Sequence, residues 1–133
     1  VGTLLRSAEA FGWDGVVCVG ETVEIYNPKI LRASMGSAFR LNIACTTLDT
    51  LMSFFEYTRV AYFISMPHQG AIPPFSSLPP KLALFLGNEA HGLPGFLEKK
   101  AHGVLRIPMS PNVESLNVSV AGGILLYMLS QRA

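Results

Sequence analysis

The last third of the chain constrains the fold most. From Lys81 to Met128 it holds KLALFLGNEAHGLP, then, after a nine-residue gap, VLRIPMSPNVESLNVS running directly into VAGGILLYM. Two short apolar runs are each cut off by strand breakers: Gly87-Asn88-Glu89 ends the first, and Pro108 and Pro111 end the second. A helical stretch with almost no polar side follows. Short apolar runs between breakers suit strands buried on both faces, as in parallel sheets. Parallel strands need long crossovers, which are usually helices. The pattern therefore predicts an α/β chain whose strand ends open into small, polar loops.

The rest of the chain keeps that rhythm. In VGTLLRSAEAFG, Val1, Leu4, Ala8 and Phe11 share one helical stripe, Arg6 falls opposite it, and Gly12 is a natural stop. GVVCVG, from Gly15 to Gly20, reads as a strand buried on both faces. Glu21 to Tyr26 is polar and reads as a loop. Asn27-Pro28 opens a helix packed by Ile30, Leu31 and Ala33, which ends or bends at Ser34-Met35-Gly36-Ser37. A second strand is expected at Leu41 to Ala44. Thr47 then caps a helix from Leu48 to Phe55, with Asp49 favourable near its start. Val60 to Ser65 is a third strand, and Met66 to Pro80 an irregular connection. Leu82 to Leu86 is a strand, Gly95 to Lys100 a short helix, Val104 to Ile107 the last strand, and the chain is helical from Leu116 onward. About five strands alternating with four or five helices predict a three-layer α/β arrangement with a mostly parallel sheet.

At 133 residues the chain fits one domain. Half of it is hydrophobic and 14% charged, more apolar than a small monomer needs, so part of the excess is expected against a partner subunit. The best membrane candidate, Val118 to Leu129, is too short to span, so no membrane partner is expected. No signal-peptide layout opens the chain. It starts mid-pattern without Met, and is expected to be a piece of something longer. Cys18 and Cys45 lack metal-ligand spacing to each other and to His68, His91 and His102, so no metal is expected. Two cysteines in apolar settings favour a reducing, intracellular setting, the cytoplasm or an organelle. Between Asn27 and Asn42, Lys29, Arg32 and Arg40 stand without an acid. Such a patch could meet phosphates, although charge alone favours a solvated loop face.

In open parallel sheets ligands bind beyond the carboxyl ends of the strands. Gly87 lets the backbone turn sharply there, Asn88 tolerates unusual angles, and Glu89 could orient an incoming group. Taken alone, an ordinary turn explains the three. Pro108 has no N–H, so the last ladder stops there. The freed backbone groups could bond a flat heterocycle between Ile107 and Met109, or the segment could simply terminate a strand. Ser115 reads best as the cap of the final helix, with Asn117 in its first turn. Gly122 and Gly123 each destabilise a helix interior by roughly 1 kcal/mol relative to Ala, which points to tight packing. There is no GxGxxG, P-loop or GxSxG. The residues alone stop at an α/β domain with a ligand site near residues 87–117.

The same residues resemble a known family. LFLGNEAHGLP with RIPMSPNVESLNVSVAGGILLY is similar to the second and third signature motifs of the SpoU/TrmH branch of the SPOUT RNA methyltransferases. VGTLLRSAEAFG resembles the first motif without the Asn that normally precedes it, and NPKILRASMGSAFRL the segment between. The resemblance covers nearly the whole chain, with the motifs in order. It implies a C-terminal deep trefoil knot, an exception to the rule that chains do not thread loops. It implies S-adenosylmethionine as cofactor, bound by Leu86, Gly87 and Asn88, by Ile107, Pro108 and Met109, and by Ser115 and Leu116. It implies a homodimer in which Arg6 of one subunit approaches the cofactor of the other.

The implied reaction is methyl transfer to a ribose 2′-hydroxyl of rRNA or tRNA. Arg6, Glu89, Ser115 and Asn117 become the implied catalytic residues, and Arg6, Lys29 and Arg32 the implied RNA contacts. A guanidinium does not readily give up its proton, so Arg6 is better cast as binding the target phosphate and orienting the hydroxyl. Two alternatives stay open: a non-catalytic knotted RNA-binding or ribosome-assembly protein, and a base methyltransferase of the same superfamily. The family's usual additional RNA-binding domain lies outside this chain.

Overall fold

A computed structural model of the chain describes residues 1–19, 27–66, 70, 78–87, 94–113 and 116–131. The order is α1 (Gly2–Ala10), β1 (Gly15–Val19), α2 (Pro28–Ser34), α3 (Ser37–Arg40), β2 (Asn42–Thr46), α4 (Leu48–Thr58), β3 (Ala61–Ser65), β4 (Leu82–Phe85), α5 (Gly95–Lys100), β5 (Gly103–Leu105) and α6 (Val118–Ser130). Every strand pair is parallel. The expected α/β class is therefore present. The strands divide, among the described residues, into a β1-β2 ladder and a β4-β3-β5 sheet.

β3 organises the larger sheet. All of Ala61 to Ile64 are buried, as expected for a strand covered on both faces. Ala61 and Phe63 point one way, onto Leu78, Leu105, Leu125 and Leu129. Tyr62 and Ile64 point the other way, onto Leu51, Phe55 and Leu97. The period-2 alternation of a strand thus places α6 on one face of this sheet and α4 and α5 on the other, which makes three layers.

β1 corrects an expectation. It is not buried on both faces: Val17 is 43% exposed, and its neighbours Ala44 and Cys45 on β2 are exposed. The reason is that α1, α2 and α3 cover only one face, where Leu5 and Ala38 pack with Val16, Cys18 and Ile43. Composition marked the run as apolar but carried no record of what would cover it. Gly20, the expected end of the strand, lies outside the described residues.

α1 also differs in detail. Gly2, Leu5 and Ala8 are its buried residues, whereas Val1 is 45% exposed. The helix packs against α2 and α3 on one side and α6 on another, so its core stripe falls between them. Gly12 does stop it, at φ +78. The Gly12 N–H donates to the Glu9 carbonyl at 3.1 Å and the Trp13 N–H to the Ala8 carbonyl at 3.0 Å. That 6→1 and 5→2 pair is a Schellman motif, which satisfies the last carbonyls of the helix. Trp13 Nε1 then donates to the Leu126 carbonyl at 3.0 Å, tying the turn to α6.

Local start signals hold elsewhere. Asn27 caps α2, accepting from the Lys29 N–H, with Pro28 in the first turn. Thr47 caps α4, accepting from the Thr50 N–H at 3.2 Å. Boundaries move by a few residues: β2 starts at Asn42, α4 continues to Thr58, and β5 ends at Leu105. α6 starts at Val118 rather than Leu116. Although α6 has almost no polar side, it is not buried all round. Gly122, Leu125, Leu126 and Leu129 are buried, but Val120 is 52%, Ile124 37% and Tyr127 51% exposed. Those three lie at i, i+4 and i+7, a single apolar stripe facing away from the sheet.

Candidate functional site

Because β4 and β5 both run parallel to β3, their carboxyl ends emerge at one edge of the sheet. They flank β3, so the two exits stand about 10 Å apart, twice the strand spacing. Leu86 and Gly87 leave β4; Ile107, Pro108 and Met109 follow β5 after Arg106. The last ladder bond among the described residues runs from the Met66 N–H to the Leu105 carbonyl, at 3.0 Å. The strand thus stops before Pro108, as a residue without N–H requires.

α6 brings the third segment to the same edge. A Cβ on Gly122 would overlap Leu4 Cδ2 and stand 2.9 Å from Leu86 Cδ1. The helix therefore crosses the end of β4 at a residue without a side chain. Leu116 and Asn117 sit just before its first turn. Leu86, Gly87, Ile107, Met109 and Leu116 are half-buried, while Pro108 and Asn117 are exposed. Apolar walls beside an interrupted ladder can hold a flat, partly polar ligand. Asn88, Glu89 and Ser115 lie outside the described residues.

Asn117, not Ser115, caps α6: its Oδ1 accepts from the Ser119 N–H at 2.8 Å. That bond corrects the expected cap. It also fixes which pole of the amide faces the helix: Oδ1 accepts there, and Nδ2 is the donor on the other side.

A second group of residues gathers at α1, α2 and α3. A Cβ on Gly2 would stand 2.6 Å from both the Ile30 carbonyl oxygen and Ala33 Cβ, so α1 and α2 touch through backbone there. Seven residues on, Glu9 binds α3. It accepts from Ser37 Oγ at 2.9 Å, from Arg40 Nε at 2.8 and 2.9 Å, and from Arg40 Nη2 at 2.8 Å. At 3.6 residues per turn, Gly2, Arg6 and Glu9 share one side of α1. Arg6, exposed, therefore stands on the rim that borders α2 and α3, where Lys29 and Arg32 are also exposed. All three cations are exposed, on two helices that touch.

Arg40 is different from the other cations of its acid-free stretch. Its fork is held by Glu9, so it joins α1 to α3. The hydrogen bond from Arg40 holds the Glu9 carboxyl below its ordinary value, with burial opposing and Ser37 assisting. The same bond raises Arg40. Ser34 and Ser37 are fully buried beside this contact. Ser34 Oγ donates to the Leu31 carbonyl at 2.9 Å. Nothing local in the sequence signals the Glu9–Arg40 pair, whose members are 31 positions apart.

Among the described residues the two groups do not meet within one chain. The side of α1 that faces α6 carries Leu4, Ser7 and Phe11: Leu4 meets Gly122, Ser7 meets Gly123, and the Phe11 ring packs edge-on against Tyr127 at 5.3 Å. Arg6 lies about 160° around the helix from Leu4. It points away from Leu86, at the end of β4.

Cys18 and Cys45 are register partners on β1 and β2. Burial chiefly, and Cys45 secondarily, push the Cys18 thiol up, so it stays protonated and unreactive at neutral pH. His102 Nδ1 accepts from the Tyr62 N–H at 3.2 Å, a structural use of the ring. Among the described residues no three His, Cys, Asp or Glu side chains converge as metal ligands. No described helix is long and apolar enough to cross a membrane.

Known proteins share this arrangement. The SpoU rRNA Methylase family matches residues 1–127. The chain is 34% identical over 131 residues to the 23S rRNA (guanosine(2553)-2'-O)-methyltransferase RlmP of Bacillus subtilis, covering 97% of this chain and 52% of that protein. It is 31% identical over 134 residues to the 23S rRNA (adenosine(1067)-2'-O)-methyltransferase of Streptomyces laurentii, covering 99% and 50%. A crystal structure of an RNA 2'-O ribose methyltransferase superposes with a TM-score of 0.85 at 30% identity, covering 98% of this chain and 50% of that one. The SpoU methyltransferase AviRb of Streptomyces viridochromogenes, in complex with AdoMet, superposes at 0.86 with 27% identity, covering 98% and 52%. The chain spans about half the length of the curated relatives it matches. With the motifs, the parallel sheets and a match along almost its whole length in agreement, the chain belongs to the SpoU rRNA methylase family.

Proposed function

We propose that the whole protein is an S-adenosylmethionine-dependent RNA methyltransferase acting on a ribose 2′-hydroxyl of rRNA or tRNA. The observation that carries this reading is the convergence of the β4 exit, the β5 exit and the α6 start at one sheet edge. Relatives named as 23S rRNA 2'-O-methyltransferases support the same reaction. An AdoMet-bound neighbour supports the cofactor. The half-buried apolar side chains and interrupted ladder at that edge fit such a ligand. Leu86, Gly87 and Asn88, with Ile107, Pro108 and Met109, and Ser115 with Leu116, would hold it.

When bound, the cofactor supplies an electrophilic methyl on a sulfonium, so the chain's main task is alignment. Arg6 binds the phosphate beside the target nucleotide and orients its ribose. Glu89, Ser115 and Asn117 shape the site around the hydroxyl. Lys29 and Arg32 grip the RNA backbone.

A homodimer completes the site in this reading. Arg6 faces away from its own loops, and Val120, Ile124 and Tyr127 leave an apolar stripe on α6 for a second copy. An isologous contact there lets each Arg6 serve the partner's loops. The knot belongs to the same proposal: the chain leaves β5 on one side of β3, and α6 returns across the end of β4, on the other side. The cytoplasm, or an organelle with its own RNA, is where such an enzyme would act.

The test is incubation of the full-length protein with labelled S-adenosylmethionine and total RNA, followed by nuclease digestion and mass spectrometry. A 2′-O-methyl nucleoside is the expected product. Label on a base would make it a base methyltransferase. RNA binding without label would make it a non-catalytic assembly protein. Failure of the folded full-length protein to bind the cofactor would overturn the reading.

A further inference from the structure

The edge of the β4-β3-β5 sheet opposite the cofactor loops gathers positive charge. All three strands are parallel, so they start at one edge. Arg59 is the C-cap of α4 and leads into β3. Lys81 leads into β4, and its carbonyl accepts from the Ala61 N–H at 3.3 Å. Lys99 and Lys100 close α5 and lead into β5, where the His102 N–H donates to the Tyr62 carbonyl at 2.8 Å. β3 is the central strand, so the three entries stand side by side over about 10 Å.

All four cations are exposed. Among the described residues none of them makes an ion pair. The stretches that lead into the three strands, residues 56–60, 78–81 and 97–102, hold Glu56 and Glu98 as their acids, four cations against two. Residues 71–77, upstream of Leu78, hold no charge. Cations in a last helical turn also complement the helix dipole. That reason covers Arg59, Lys99 and Lys100 but not Lys81, which follows Pro80 at a strand entry. Nor does it explain the backbone of Arg59, whose φ of +59 glycine adopts without steric cost and a side chain resists. Such backbone concentrates at functional sites, and here it carries a cation.

The kind of partner follows from the side chains. Lysine is depleted at protein–protein interfaces, and three of the four cations are lysines. Spread cations of this sort suit a polyanion, whose phosphates they meet as separate charges while counterions are released. β4 is four residues long, so this edge lies about 13 Å from the β4 exit. It therefore meets backbone away from the nucleotide at the cofactor loops.

We infer that Arg59, Lys81, Lys99 and Lys100, at the amino edge of the larger sheet, form a second contact for the phosphate backbone of the RNA substrate. This rests on the RNA-methyltransferase reading above and narrows its substrate to a folded RNA large enough to reach both edges of the sheet. These residues hold RNA; none takes part in methyl transfer.

The test compares full-length wild type with Arg59→Gln, Lys81→Gln, Lys99→Gln and Lys100→Gln, singly and together. A variant combining Lys81→Arg, Lys99→Arg and Lys100→Arg keeps the charge. The probes are purified ribosomal RNA and bulk tRNA, and the tighter-bound of the two is titrated across salt concentrations. The combined Gln variant should bind about tenfold or more weakly near about 0.15 M salt, and its slope of log affinity against log salt should be smaller by about three. Each single Gln variant should reduce the slope by about one. The arginine variant should bind like wild type. At saturating RNA the combined Gln variant should methylate at the wild-type rate with unchanged cofactor affinity, because a lost backbone contact raises KM and leaves kcat. If that variant, folded by circular dichroism, keeps wild-type affinity and slope, the inference is overturned, while methylation by wild type keeps the methyltransferase reading. If the arginine variant binds as weakly as the combined Gln variant, charge is not what is read and the phosphate role is overturned. If wild type neither binds nor methylates either RNA, both fall together.

Discussion

Gly122 and Gly123 look equal in sequence, two adjacent helix breakers in an apolar run. Packing separates them. Gly122 has Leu4 and Leu86 where its side chain would be, whereas a Cβ on Gly123 would meet only Ser7 Oγ, at 3.5 Å. Gly122→Ala should therefore destabilise by about 1–3 kcal/mol through overpacking. Gly123→Ala should be neutral or stabilise by up to about 1 kcal/mol through helix propensity. Urea unfolding of both variants checks the pair; equal losses would mean that α6 does not cross β4 at Gly122. The spacing of small residues was thus legible, but not which of them the fold needs. Gly2, whose Cβ would strike α2, carried no signal at all, because its partner lies about thirty positions away.

At the scale of elements, the joint between α1 and α3 is electrostatic and its pH dependence has a definite sign. The Glu9 carboxyl titrates lower in the folded chain than its ordinary 4.5. Its contribution is then fully present above that value, and it is lost as pH falls below it through the lowered folded value. Glu9→Gln should narrow its stability gap to wild type between about pH 6 and about pH 3, read from urea midpoints. The gap should also shrink in high salt, since the pair is exposed. A gap that persists at low pH would show that the clamp acts by packing. Elements with local signals were readable from the sequence: the Gly12 stop, the Asn27-Pro28 and Thr47 starts, and the apolar β3. The half-open β1 and the exposed stripe of α6 were not. Exposure depends on which helices arrive to cover a face, and that is decided by contacts remote in the chain.

For the whole molecule, the proposed dimer would account for both the exposed apolar stripe on α6 and the outward aim of Arg6. Ile124→Glu in the full-length protein should convert a dimer to monomers in sedimentation velocity while leaving the helical content intact, because Ile124 is 37% exposed in the single chain. Loss of methyl transfer with that dissociation would follow from a site completed by the partner. A monomeric wild type would remove this part of the account. The candidate site stood out in the sequence as three segments because each carries its own breaker: Gly87, Pro108 and the polar residues before Asn117. The proposed division of the site between two subunits comes only from family resemblance, since no spacing links Arg6 to residues 87–117.

The most direct measurement is methyl incorporation into RNA by the full-length protein and its Arg6→Ala variant, with cofactor affinity and sedimentation recorded alongside. The account predicts that wild type places methyl on a ribose 2′-oxygen. It predicts that Arg6→Ala falls at least about a hundredfold in rate while the dimer and cofactor binding persist. An Arg6→Ala protein that methylates RNA at the wild-type rate would contradict it.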